Sequence, residues 1–539
     1  MSAVELVEVR AGSYHDSVTL MQVTRAVAGV PGVLAAQVAM GTELNLDLLG
    51  GMGFAHPDGA GPNDLVVAVR AVDEGALAAG RQAVEAALSA RPGGPGSGPG
   101  SGAGGDGLPS VRPRTTGSAV RASGATLALV SVPGPHAFVE AMDALAAGVD
   151  VMVFSDNVPV AQEVRLKQVA AARGLLVMGP DCGTAVVGGI GLGFANVVAP
   201  GPVGLVAASG TGAQQVMSLL DAAGVGVRHC LGVGGRDLSS AVGGLSTRQA
   251  LALLDADPAV ELIVVVSKPP AAQVERELRG LAAGLGTPVQ FALLGPGRPD
   301  LTAAARAATE ALGRVWPDPQ SWPSPERPSP VRPDPLSPDR PGADPGFTRL
   351  RGGFAGGTLC DEAMVLASPS LGPIASNIPL DGAPRLAADL RTLHDQPGVE
   401  PRHAMIDFGD DELTRGRPHP MIDGSLRAQW LVRQGESVTA GGGVVVLLDV
   451  VLGHGAHPDP AAELVPAIER ARAAAAGAGG GLAVVVSLCG TAGDPQGLHR
   501  QASALQAAGA SVHLSNADAV RTALALLKPG PPSSAEEIA

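Results

Sequence analysis

Three strings of glycine and hydroxyl residues mark places where backbone amides can do chemistry. Ala208-Ser209-Gly210-Thr211-Gly212 lies between an apolar, β-rich run and a helical segment reaching about Ala223, with Gly224 as its stop. Such a turn frees the amides at the helix start, so Ser209, Gly210, Thr211 and Gly212 are candidate ligands for a phosphate or carboxylate. Parallel folds also turn corners this way, and spacing alone leaves both readings open. Gly352-Gly353-Phe354-Ala355-Gly356-Gly357-Thr358, leading into a helix at Leu359, repeats the pattern and makes Gly353, Gly356, Gly357 and Thr358 a second candidate cradle. In Gly232-Val233-Gly234-Gly235-Arg236-Asp237, Gly234 and Gly235 would expose backbone while Arg236 brings a planar cation able to grip an anion bidentately.

Side chains at other strand ends add candidates. The three lysines are Lys167, Lys268 and Lys528, and Lys268 directly follows the apolar run 262–267, where arginine serves almost everywhere else. It is either a placed cation or a solvated turn residue. The run 407–412 (Asp-Phe-Gly-Asp-Asp-Glu) with Arg417 and His419 gathers carboxylates, a guanidinium and an imidazole, suited to acid/base work or equally to a hydrated acidic loop. Ser155, Asp156 and Asn157 end one apolar run and Asp181 and Cys182 follow another, as ligand contacts, helix caps or, for Cys182, a small buried thiol. His454 and His457 are a glycine-flanked pair without further metal ligands in sequence, and no metal site is expected.

These turns need parallel sheets to position them, and the apolar periodicity supplies such sheets. Two stretches rich in Gly, Pro and Ser or in Pro read as linkers, 91–118 and 317–346, and divide the chain. The segment 1–90 reads as a small α+β, ferredoxin-like module, with a loop at Tyr14 and His15, a helix from about Asp16, and Asn45, Asn63 and Asp64 as turn residues. Apolar β-rich runs alternate with helical ones over 119–200, a Rossmann-like unit, and over 201–316 and 347–530, flavodoxin-like units. In such α/β sheets ligands bind beyond the carboxyl ends of the strands, which is where the candidate residues fall.

Composition narrows the function classes. With 539 residues, 45% apolar and only 2% aromatic, several cores must be packed from Ala, Val and Leu. The net charge of -14 argues against a nucleic-acid partner, so an anionic ligand must be held locally. Cys182, Cys230, Cys360 and Cys489 form no CxxC pair, which points to a reducing, cytoplasmic setting. The most apolar run, 444–451, is far shorter than the roughly 20 residues of a membrane helix.

At Gly179-Pro180-Asp181-Cys182-Gly183-Thr184, at the Ser209 turn and at the Gly232 loop, order and separation resemble the α-subunit of succinyl-CoA synthetases. The third block resembles the ligase domain of their β-subunit. With the amino-terminal module, and with the strings 154–158, 266–270 and 416–423, the whole is similar to the FdrA family. That resemblance implies a CoA-binding-type domain at 119–200, two ligase domains with helix starts near Thr211 and Thr358 facing one phosphate site, and CoA as the one cofactor to expect. It also implies an oligomer with companion transferase subunits, and a carbamoyl or acyl phosphate with oxamate or another carboxylate as small anionic substrates. The rivals are an acyl-CoA synthetase and a non-catalytic anion-binding scaffold. This chain departs from the ligases in having no histidine at 295–300 and no evident ATP-grasp block, which argues against a self-sufficient nucleotide-driven ligase.

Overall fold

The computed structural model describes residues 3–13, 15, 17–57, 59–89, 113–325, 346–386, 402–414 and 417–527. Tyr14, Asp16, Lys528 and most of both expected linkers lie outside them. Contacts divide the chain into two units, Met1–Val149 with Gly416–Pro418, and Asp150–Arg415 with His419–Ala539.

In the first unit, β1 (Val4–Arg10) and β2 (Val33–Met40) flank β3 (Leu65–Ala71) in an antiparallel sheet. Successive residues of a strand face opposite ways. Leu65, Val67 and Val69 therefore pack on α1 (Ser17–Ala28) and α3 (Glu74–Ser89), while Val66 and Ala68 pack with Leu46 and Leu49 of α2 (Glu43–Gly51) and Phe54. After the linker come α4 (Thr116–Ser123), β4 (Leu127–Val130) and α5 (Gly134–Ala146). Thr115 and Ser118 form a capping box, so helix α4 starts inside the segment expected to be linker.

The second unit opens with β5 (Asp150–Val153), α6 (Val160–Ala172) and β6 (Val177–Met178), the two strands pairing in parallel. A hairpin of β7 (Thr184–Val187) and β8 (Ile190–Gly193) leads to β9 (Val203–Ala208), α7 (Gly210–Ala222), β10 (Val227–Gly232), α8 (Leu245–Asp255), β11 (Leu262–Ser267), α9 (Ala272–Ala282), β12 (Val289–Leu293) and α10 (Leu301–Ala311). These strands form one sheet in the order β12-β11-β9-β10-β7-β8. The remaining elements are β13 (Ser321–Trp322), β14 (Gly346–Phe354), α11 (Gly357–Leu371), β15 (Ala375–Ser376), β16 (His403–Asp407), α12 (Asp411–Thr414), α13 (Ser425–Glu436), β17 (Gly442–Val451), α14 (Pro460–Gly477), β18 (Gly481–Cys489), α15 (Leu498–Ala507), β19 (Ala510–His513) and α16 (Asn516–Leu526). Their sheet has the order β13-β19-β18-β17-β14-β16-β15. β13 pairs with β19, so the second linker starts later than composition implied.

One apolar core runs through both sheets of this unit. Buried polar side chains stitch the halves together: Asn196 donates to Leu452 O (3.0 Å) and to Asp494 (2.9 Å), Val197 N donates to Asp494 (2.7 Å), and Gln215 of α7 donates to Leu514 O (3.0 Å). Helix α7, Gln214, Gln215 and Ser218 included, is enclosed along most of its length. The start of α7 is thereby held in one body with the start of α11.

Candidate functional site

Each helix start follows a buried strand. Ser209 leaves β9 extended, caps α7 and accepts from Gly212 N at 3.0 Å. Ser209 Oγ also lies 2.6 Å from Thr358 Oγ1 on α11. The two ends touch so closely that each requires glycine. A Cβ on Gly212 would stand 3.0 Å from Thr358 Cγ2, and one on Gly356 would stand 2.8 Å from Thr211 Oγ1. Asp449 of β17 takes the amides of Ala355 (2.7 Å) and Gly356 (2.8 Å) and an ion pair from buried Arg427 (2.7 Å), fixing the second turn. The first amides of each helix, from Gly210 and Gly357 onward, have no intrahelical acceptor. Two positive helix ends thus meet.

Lys268, at the carboxyl end of β11, contacts Asp361 of α11 at 2.8 Å. Its side chain keeps 42% of its surface exposed; desolvation works against its charge, yet Asp361 and then Asp407 hold its pKa above the ordinary value. Asp407 ends β16 and is buried, and burial pushes its carboxyl up to about 7, with Lys268 pulling the other way. His419 Nδ1 accepts from Met421 N at 3.2 Å, so Nε2 carries the proton of the neutral ring. Enclosure and the charge of Arg427 lower the His419 pKa to about 4. A Cβ on Gly409 would stand 2.9 Å from His419 Nε2 and 3.2 Å from Asp407 Oδ1, so the imidazole adjoins the Asp407 turn.

Asp181 is exposed on its surface but has protein packed closely around it. That crowding, then the carboxylates of Asp156 and Asp411, push it up to about 7 against the pull of Arg236 and Lys268. Among the described residues the non-glycine positions with positive φ are Asn157 (52°) and Asp181 (58°), a rare conformation that tends to mark functional turns.

The second unit therefore brings together Ser209, Gly210, Thr211, Gly212, Gly356, Gly357, Thr358 and Lys268, with His419 on the Asp407 side. Other expected residues have different surroundings. Gly353 lies within β14, between Ile406 and Leu448, and is glycine because a Cβ would strike the Trp430 ring at 2.6 Å. It is a strand residue, not part of the turn. Gly234 has positive φ and packs against Pro180 O, 2.4 Å from where a Cβ would be, while Gly235 faces open space. Arg236 pairs with Glu163 (2.9 Å) and donates to Val158 O (2.8 Å), bracing α6. Beneath it, buried Lys167 bridges Glu163 and Asp237, each at 2.8 Å. Cys182 is buried, its thiol pushed up to about 12, with no surface for a ligand. Ser155 is also buried, whereas Asp156 and Asn157 are exposed. Arg417 is exposed and groups with the first unit. Sequence reasoning gave no role to Asp361, Asp449 or Arg427. A carboxylate inside the apolar run Leu448-Asp449-Val450 was the available signal.

Comparison with known proteins adds ancestry to this geometry. Residues 1–101 match a family described as AllF, heavy metal-associated domain, and residues 354–526 match the CoA-ligase family. The first of these segments contains no cysteine. Uncharacterized protein YahF of Escherichia coli (strain K12) is 34% identical over 508 residues, covering 93% of this chain and 94% of that protein. The chain belongs to the YahF family. This YahF relative is also 29% identical over 184 residues to the ADP-forming succinate-CoA ligase subunit alpha 2 of Archaeoglobus fulgidus, covering 32% of this chain and 63% of that subunit. It is thus a member of the CoA-ligase superfamily, built as a mixed α/β protein with a small α+β module in front. A structure of the dinucleotide forming acetyl-coenzyme A synthetase 1 of Ca. Korarchaeum cryptofilum with phosphate and ADP covers 74% of the YahF relative and 82% of its own chain, at 16% identity and a TM-score of 0.25. That overall similarity is too low to add to the case. Among the described residues, no helix is long and apolar enough to cross a membrane, and no group of three or more His, Cys, Asp and Glu is placed to hold a metal ion.

Proposed function

We propose that this protein binds an acyl or carbamoyl phosphate at the facing starts of α7 and α11 and transfers its acyl or carbamoyl group, as an FdrA-type subunit of an oxamate carbamoyltransferase. The observation that supports the reading is the 2.6 Å contact of Ser209 with Thr358, which brings the two helix amino termini side by side. Amides of Gly210, Thr211, Gly357 and Thr358, with Lys268, would hold the phosphate and stabilise it as it leaves. His419, through the Nε2 proton, would donate to the acceptor's carbonyl or carboxylate. Companion subunits would complete the reaction in a cytoplasmic complex.

CoA-dependent acyl transfer is the second reading, favoured by the CoA-ligase match over 354–526. Against it, Asp156, Asp181 and Asp411 lie close enough to interact, a negative cluster that would repel a CoA-type polyphosphate bound beside them. Purified protein, alone and with the products of neighbouring genes, should convert carbamoyl phosphate and oxamate to oxalurate and inorganic phosphate without CoA or nucleotide. CoA-dependent release of ADP with no carbamoyl transfer would replace the first reading by the second.

A further inference from the structure

Asp407, the last residue of β16, is held from several sides. Its amide donates to Asn377 Oδ1 (2.9 Å), its carbonyl accepts from Asn377 Nδ2 (2.8 Å), and its Oδ1 accepts from Gly409 N (2.9 Å). Oδ2 has no hydrogen-bond partner among the described residues, although the residue is only 7% exposed. A Cβ on Gly357 would stand 2.5 Å from this oxygen and 3.5 Å from Lys268 Nζ, so both lie against the first residue of α11. A carboxyl oxygen left without a hydrogen-bond partner beside a helix start is placed to exchange a proton with an occupant of that spot.

We propose that Asp407 is the proton-transfer residue of the paired helix opening, accepting the proton of an N–H, O–H or S–H nucleophile as it attacks a bound acyl or carbamoyl phosphate. This rests on the acyl-phosphate reading above. The nucleophile's lone pair forms a bond to the carbonyl carbon, and the bond from that carbon to the phosphate oxygen breaks. Its electron pair leaves on inorganic phosphate, and the nucleophile's proton passes to Asp407 Oδ2. The reverse reaction returns it.

The charged and titratable groups around Asp407 are Lys268 beyond β11, Asp361 and Cys360 on α11, Asp449 on β17 with its partner Arg427, and the neutral His419 beside Gly409. Burial, Asp361 and Asp449 raise the carboxyl to about 7 while Lys268 and the Gly409 amide oppose them. Protonated, it leaves the helix ends to the phosphate. Ionised, it competes with that anion.

The test uses the full chain and sulfate, whose charge does not change over the range. Calorimetric sulfate affinity of the wild type should fall roughly tenfold between pH 6 and pH 8.5 as Asp407 ionises, and Asp407→Asn should keep the pH 6 affinity throughout. Acyl- or carbamoyl-phosphate turnover by Asp407→Asn should drop about 10²- to 10³-fold in kcat with little change in KM at pH 7, and its rate should lose the rise near pH 7. Because Asp181 also lies near 7, a pH slope that persists in Asp407→Asn overturns the proposal. So does turnover within threefold of wild type. Wild-type sulfate affinity that ignores pH overturns this proposal alone, whereas no sulfate binding at any pH removes the acyl-phosphate reading and the proposal together.

Discussion

Lys268 is a cation that the second unit places beside the start of α11, tied to Asp361 and near Asp407. Lys268→Ala should lower acyl- or carbamoyl-phosphate turnover about 10²-fold, measured as phosphate release, because one charge that stabilises the leaving oxyanion is gone. Lys268→Arg should restore little, since a planar guanidinium does not substitute for a compact ammonium at that spot. A second prediction concerns stability. Glu362 accepts from Leu301 N and from Asn516 across the halves, and burial pushes its pKa up to about 7. In the folded state it binds protons more tightly than in the unfolded state, so the wild type loses stability as pH rises from about 4.5 to about 7. The difference amounts to about 3 kcal/mol at most. Glu362→Gln cannot titrate, and its melting temperature relative to wild type should therefore improve from pH 5 to about pH 7 and then level off toward pH 8. At this scale the sequence showed Lys268, a lysine in an arginine-rich chain, but not Asp361, which looks like any helix residue until α11 is folded against β11.

Glycines at the helix starts answer to neighbouring elements as well as to their own turns. Gly356→Ala would drive a methyl into Thr211 and Gly357→Ala would drive one into Asp407 Oδ2. Each should abolish sulfate binding by calorimetry, whereas Gly280→Ala on the open face of α9, where no atom lies within 4 Å, should change it less than twofold. Most strands of the parallel sheets were legible, because buried parallel strands are continuous apolar runs and 203–207, 262–267 and 444–450 are such runs. Strand β14 was not, since Gly352 and Gly353 read as a turn in sequence. They are strand glycines that make room for Met405 and Trp430. Pairing decides such cases, and pairing is nonlocal.

At the scale of the second unit, the site exists because two sheets from distant stretches of chain share one core. Asp494 is a principal clasp between them, accepting from Asn196, Val197 N and Thr491 N. Asp494→Ala would leave the buried donors of Asn196 and Thr491 unsatisfied, at about 1–3 kcal/mol each, so thermal unfolding should shift down by several degrees and sulfate affinity should fall with it. Sequence indicated two ligase-like units; the polar side chains that bind them, Gln215 and Asn196 among them, carry no local pattern that announces a partner hundreds of residues away. The central claim is that the starts of α7 and α11 serve one anion. A crystal soaked in selenate and measured for anomalous scattering tests it most directly. One selenium peak within hydrogen-bond reach of both the Gly210–Thr211 and the Gly357–Thr358 amides is the predicted result. A peak reaching only one helix, or none between them, would contradict it.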